Sequence, residues 1–187
     1  MKPTSLLTAA ALTVAALPAL ACPGAADLEK GVVFETQDGT VETHRRVTED
    51  MVIIRTEFGE GEGSILETRH GLYLGSSTPI EGGVVRMAEK EVFASHADLK
   101  LWDAPKPDTE WRNDSSGGGT AKAGPQGTIR LGPCAYAAFP VELTFNDDPD
   151  YVEQYQYLPD LGVGLLVAST TNEDEEHYTY TDVRPVP

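Results

Sequence analysis

The sequence predicts an all-β or mostly β domain: antiparallel meanders forming a sandwich, half-barrel or barrel, with at most one or two short helices. Three observations carry this. Short apolar stretches recur at roughly ten-residue spacing, Gly, Pro, Asn and Asp cluster between them, and residues 127–170 read as three or four successive strands joined by strong turn signals. Within that stretch Ala135, Ala137, Phe139, Val141, Leu143 and Phe145 alternate with Tyr136, Ala138, Glu142 and Thr144. This period of two makes the first set the expected buried face. Residues 146–150 (NDDPD) turn the chain, Tyr151, Glu153, Tyr155 and Tyr157 share a face of the returning strand, and residues 158–162 (LPDLG) turn it again before the apolar run 163–168.

In chain order, residues 23–30 read as a short helix with Asp27 near its start and Gly31 ending it. A strand at 32–36 meets Asp38-Gly39, a dipeptide favoured in two-residue hairpin turns, and 41–47 returns. Residues 51–57 form a third strand, the glycine-spaced run 59–63 a loop, and 65–69 and 71–74 a fourth strand that continues or restarts. Residues 84–93 read as a strand with an irregularity, with local coiling open at 87–91. Pro105 and Pro107 exclude a central strand there. A short strand is expected near Trp111, a flexible surface loop at Ser115-Ser116-Gly117-Gly118-Gly119, and a new strand from near Thr128. The last strand covers 178–183, and Pro185 and Pro187 stop it.

Residues 1–21 carry one charge, Lys2, an apolar run over 6–17, and Ala19-Leu20-Ala21, the small-residue pattern of a leader cleavage site. The expectation is a signal peptide at 1–21 and a single β-rich domain at 22–187, in the periplasm or secreted, with no membrane span. The chain's formal charge is −16; loss of Lys2 makes the processed form −17. So acidic a chain has nothing to release counterions from a phosphate backbone, which excludes nucleic acid as a partner, and binding to anionic lipid is disfavoured for the same reason. The two cysteines, Cys22 and Cys134, are expected to pair in an oxidising compartment. The rival reading makes Cys22, which directly follows the cleavage pattern, the lipid-bearing first residue of a lipoprotein. A lipobox usually has Leu three residues before its cysteine, whereas Ala19 stands there.

The sequence assembles no recognisable catalytic constellation. Arg69-His70-Gly71 matches the core of a histidine-phosphatase signature, but that chemistry needs further basic residues and Leu72-Tyr73-Leu74-Gly75 follows, so a strand-end turn is the expected role. Asp147, Asp148 and Asp150, and Glu173 to Glu176, lack the spacing of a calcium loop and read as solvated acidic turns. His44, His70, His96 and His177 are dispersed, with no zinc motif among them. No metal and no cofactor is therefore expected. The face of Tyr151, Tyr155 and Tyr157, with Tyr136 adjoining, is the candidate binding face, because tyrosine buries its ring while its hydroxyl stays wet. The ordinary alternative is a sheet face in which these rings cover cross-strand neighbours.

Gly132-Pro133-Cys134-Ala135-Tyr136, the later 157–164 (YLPDLGVG), and Cys22-Pro23-Gly24-Ala25-Ala26-Asp27-Leu28 resemble elements of small secreted proteobacterial β-rich proteins of unknown function. The turn at 157–162 is also loosely similar to turns in periplasmic half-barrels of the lipoprotein-carrier type. That second resemblance implies a curved sheet over an apolar groove; neither supplies catalytic residues. The expected function is a binding or interaction module whose partner is an unknown envelope protein or an apolar small ligand, with an unrecognised envelope hydrolase as the alternative. A concave apolar cavity would favour binding, whereas His70 or His177 meeting two acidic residues in a cleft would favour the enzyme.

Overall fold

Turn chemistry sets out the first sheet. β1 (Val32–Thr36) passes through Asp38-Gly39 into β2 (Val41–Arg46). Gly39 lies at φ 91°, and the Asp38 carboxylate accepts hydrogen bonds from the Thr36 hydroxyl and the Thr40 amide, which locks the tip. β3 (Met51–Gly59) and β4 (Glu62–Arg69) are joined by Glu60-Gly61, both at positive φ (53° and 81°), the conformation that matches the twist of a tight hairpin. β5 (Tyr73–Glu81) follows, paired along one edge with two short strands, β6 (Val84–Val85) and β7 (Glu91–Val92), on either side of a 3-10 turn at Met87–Glu89. The second sheet uses β8 (Glu110–Arg112), β9 (Gly119–Ala123), β10 (Gly127–Leu131), β11 (Cys134–Phe145), β12 (Val152–Leu158), β13 (Val163–Thr170) and β14 (Glu175–His177). The final strand, β15 (Tyr180–Pro185), returns to the first sheet beside β1, with Val183 opposite Phe34.

The structure is a computed structural model that describes residues 22–93, 103–114, 117–172 and 174–187. The expected leader at 1–21, together with His96, Ser115, Ser116 and Glu173, lies outside them. Two antiparallel sheets form a sandwich, not a closed barrel. Their orders are β15-β1-β2-β3-β4-β5-β6, with β7 also on β5, and β14-β13-β12-β11-β9-β8, with β10 on β11.

β11 shows why a single buried face was the wrong expectation. Cys134, Tyr136 and Ala138 are buried in its first half, and Phe139, Val141 and Leu143 in its second, so burial changes from one face to the other at Ala138/Phe139. The first half pairs with β10, and β12 flanks the strand only from Phe139 onward. Cys134 and Tyr136 accordingly join Leu28, Val32, Phe34, Val52, Ile54, Leu158, Val163 and Leu165 in one apolar cluster. Phe139, Val141 and Leu143 join Leu72, Tyr73, Ala121, Ala123 and Tyr157 in another. One strand serves two cores through its two faces.

The Cys22–Cys134 disulfide, with Cα atoms 5.5 Å apart, ties the segment from residue 22 to the start of β11. The Tyr136 hydroxyl donates to the Pro23 carbonyl (3.1 Å), and Leu28 is fully buried. The helix expected at 23–30 is only a 3-10 turn at Asp27–Glu29. Held at both ends, the segment is too short to offset the cost of nucleating an α-helix. The glycine run differs from expectation as well. Gly117, Gly118 and Gly119 are buried, and Gly119 opens β9, where a Cβ would fall 1.9 Å from the Thr144 carbonyl oxygen. These glycines allow close backbone approach where a surface loop was expected.

Candidate binding cleft

The tyrosines singled out by the sequence turn inward. Tyr136 is buried in the first cluster and Tyr157 in the second. Tyr151 stacks on Phe145, and the Tyr151 and Tyr155 hydroxyls each donate to the Glu153 carboxylate at 2.9 Å. Glu153 is itself buried, and that burial raises its pKa while the two tyrosine donors oppose the shift. These side chains cover their neighbours within the sandwich and share no exposed patch. Of the four, Tyr157 lines a cleft.

That cleft, about 560 Å³, lies at one end of the first sheet. β2 and β4 run in the same direction in the meander, so their last residues, Arg46 and Arg69, emerge at the same end; the β2–β3 turn adds Thr48, Glu49 and Asp50, the β4–β5 turn His70, and β12 and its following turn Tyr157 and Gly162. His70 and Gly71 occupy the left-handed region (φ 53° and 61°). The Gly164 amide donates to the Gly71 carbonyl (2.9 Å), which fixes the β4–β5 turn against the second sheet.

Arg69 and Asp50 anchor one another. Arg69 pairs with Asp50 through Nη2 (3.0 Å), the Thr48 hydroxyl donates to the same carboxylate (3.0 Å), and Arg69 Nε donates to His70 Nε2 (3.3 Å). Arg46 is different. Its Nη2 donates to the Leu161 carbonyl and its Nη1 to the Ala25 carbonyl. No carboxylate among the described residues pairs with it. Two neutral acceptors hold the guanidinium in place and leave Nε–H and one hydrogen on each Nη for something else. Burial pushes the Tyr157 hydroxyl up to about 12, against the pull of the nearby Arg46 charge, so it is a neutral donor over the ordinary pH range.

The other histidines are placed elsewhere. His44 is fully buried, with Nε2 2.9 Å from Glu42 Oε2; the Tyr180 hydroxyl donates to that same oxygen at 3.1 Å. His177 is exposed, 3.4 Å from Glu175. Asp147, Asp148 and Asp150 are all exposed. Among the described residues no group of three or more His, Cys, Asp or Glu is arranged to hold a metal ion. Sequence reasoning passed over Arg46 and weighed Arg69 only within Arg69-His70-Gly71. The available signal was that each ends an alternate strand of one meander, which puts both at one end of the sheet.

No protein-family model matches the chain, and no curated protein or solved structure shows a significant match to it.

Proposed function

We propose that this chain is an exported binding protein without catalytic activity, working in the periplasm or outside the cell, that holds a small acid-bearing ligand in the cleft at Arg46. The observation that carries this reading is the Arg46 guanidinium, held by two backbone carbonyls and matched by no described carboxylate. In a chain with net charge −16, a pre-positioned cation with free donors suits a carboxylate or phosphate, which accept charge-assisted hydrogen bonds. Tyr157 supplies a neutral donor beside it. The leader expected at 1–21 and the disulfide support an oxidising compartment. The bond at Cys22 also occupies the sulfur that a lipid anchor would need. Among the described residues no helix is long and apolar enough to cross a membrane.

The hydrolase reading has one observation in its favour: the cleft brings His70 together with Glu49 and Asp50. Against it, Asp50 is engaged by Arg69 and Thr48, and the lone pair of His70 Nε2 already accepts from the Arg69 guanidinium. Native mass spectrometry of the protein purified from its own host separates the two. The expected result is an acidic small molecule that co-purifies with the wild type and is absent from folded Arg46→Gln. Turnover of ester or amide reporters that disappears in His70→Ala would instead establish the hydrolase.

A further inference from the structure

A second hollow, about 180 Å³, adjoins the cleft, and Ala104 stands in the wall of both. Its inner wall is apolar: Tyr73, Trp111, Ala121, Ala123 and Val141 line it. Tyr73 and Trp111 lie with ring centroids 6.5 Å apart. Tyr73 and Tyr157, which line the hollow and the cleft respectively, belong to the same apolar cluster. The charges are distributed unevenly between the two spaces. Asp103 and Glu110 stand at the hollow with one cation, Lys106, while at the cleft Glu49 and Asp50 are balanced by Arg69 and the unmatched Arg46.

From this juxtaposition we infer that the ligand is an organic acid carrying one ring-sized apolar group, its acid at Arg46 and its ring in the hollow against Trp111 and Tyr73. The inference rests on the reading of the cleft as an acid-binding site and adds the ligand's second half. Size sets the ring. A dry apolar cavity of roughly 150 Å³ accommodates benzene, so a hollow of about 180 Å³ takes one six-membered ring or its equivalent. Orientation follows from the donors, since Arg46 keeps free N–H groups for a carboxylate in the cleft, whereas at the hollow two carboxylates face a single lysine. Small-molecule sites commonly join an apolar pocket to a few placed polar groups, and here neighbouring elements supply the two parts.

Isothermal titration of the mature protein with benzoate, phenylacetate and 3-phenylpropionate tests the inference, with acetate and 3-phenylpropan-1-ol as the half-ligands. At least one ring acid should bind tenfold or more tightly than both controls. Arg46→Gln should reduce that acid to the level of the alcohol, and Trp111→Ala to the level of acetate. Because Trp111→Ala removes a large half-buried ring, the wild type provides an independent readout. The Trp111 indole NH resonance, assigned through Trp111→Phe, should move with the ring acid and stay fixed with acetate. If all ring acids bind like acetate while Arg46→Gln abolishes both, the ring site is refuted and the acid site stands. If neither acetate nor any ring acid binds, the acid site falls as well. Tight ring-acid binding that leaves the Trp111 resonance unmoved refutes the placement in this hollow.

Discussion

Breaking the Cys22–Cys134 bond should lower the melting temperature by at most about 10–20 °C, and the size of that fall follows from where the bond sits. The bonded residues are 112 positions apart. For a closed loop of that length, the chain-entropy account gives about 4.8 kcal/mol at 25 °C, an upper bound because the unbridged unfolded chain is not a random coil. In a chain of 187 residues, each kcal/mol moves the midpoint by about 2–4 °C. The native state gains little by letting the N-terminal segment go once the bond is cut. Leu28 remains fully buried, the Tyr136 hydroxyl still holds the Pro23 carbonyl, and Arg46 still holds the Ala25 carbonyl. Most of the loss should therefore appear as stabilisation of the unfolded chain. The assay is differential scanning calorimetry of the Cys22→Ala, Cys134→Ala double variant beside wild type with and without reductant, which separates loss of the bond from the substitutions. Thiol titration of the unfolded, unreduced wild type should find no free thiol. A fall of less than 2 °C in both the variant and the reduced protein would refute the reasoning, as would two titratable thiols.

Glu153 gives a prediction whose sign is fixed by its burial. Its pKa in the folded protein lies above the ordinary glutamate value of 4.5, so above that pH the folded state binds more protons than the unfolded state. Its contribution to stability falls as pH rises through the window between the two values. Glu153→Gln removes that slope, and the melting temperature of the variant minus that of wild type should grow from pH 4 to pH 7; a constant or shrinking gap would contradict the assignment. Gly71→Ala should destabilise more than Gly82→Ala, as read by urea midpoints. Both glycines sit in the left-handed region (φ 61° and 57°), which costs an alanine about 1–2 kcal/mol. Only at Gly71, however, would the new Cβ meet backbone, 2.8 Å from Val163 Cα, whereas at Gly82 nothing lies within 4 Å. Equal losses would mean that the contact between the β4–β5 turn and β13 is not held closely.

Local chemistry made much of this fold legible. Asp38-Gly39, the alternation of β1 and β3, and the irregular stretch that resolves into β6, a 3-10 turn and β7 can be read residue by residue, because turn preference and period-two patterning are properties of a few neighbouring side chains. Where tertiary packing decided the outcome, the reading went astray. The switch of faces in β11 depends on which strands flank each half, and a period of two does not specify which side is covered. Gly119 looked like linker composition, yet it is glycine because the Thr144 carbonyl lies against it. Tyr151 and Tyr155 drew notice as buried rings with wet hydroxyls, and nothing in their spacing showed that Glu153 would take up both hydroxyls. The cleft was illegible for a related reason. Its charged groups come from turns far apart in sequence, and only the meander's alternating direction brings them to one end.

The position of β15 has a consequence for how the chain comes to be folded. β1, among the earliest residues of the described protein, has β2 on one side and finds its second neighbour only in Tyr180–Pro185. Until those residues are present, the amides and carbonyls along that flank have no strand to bond and offer a template to any passing extended chain. The pairing of Val32 with Pro185 spans nearly the whole polypeptide, and so distant a pairing is slow to form. The first sheet can therefore be completed only after Tyr180–Pro185 have been synthesised. A nascent chain whose first sheet lacks its closing strand until residues 180–185 arrive carries β1 as an open edge while every residue between them is synthesised.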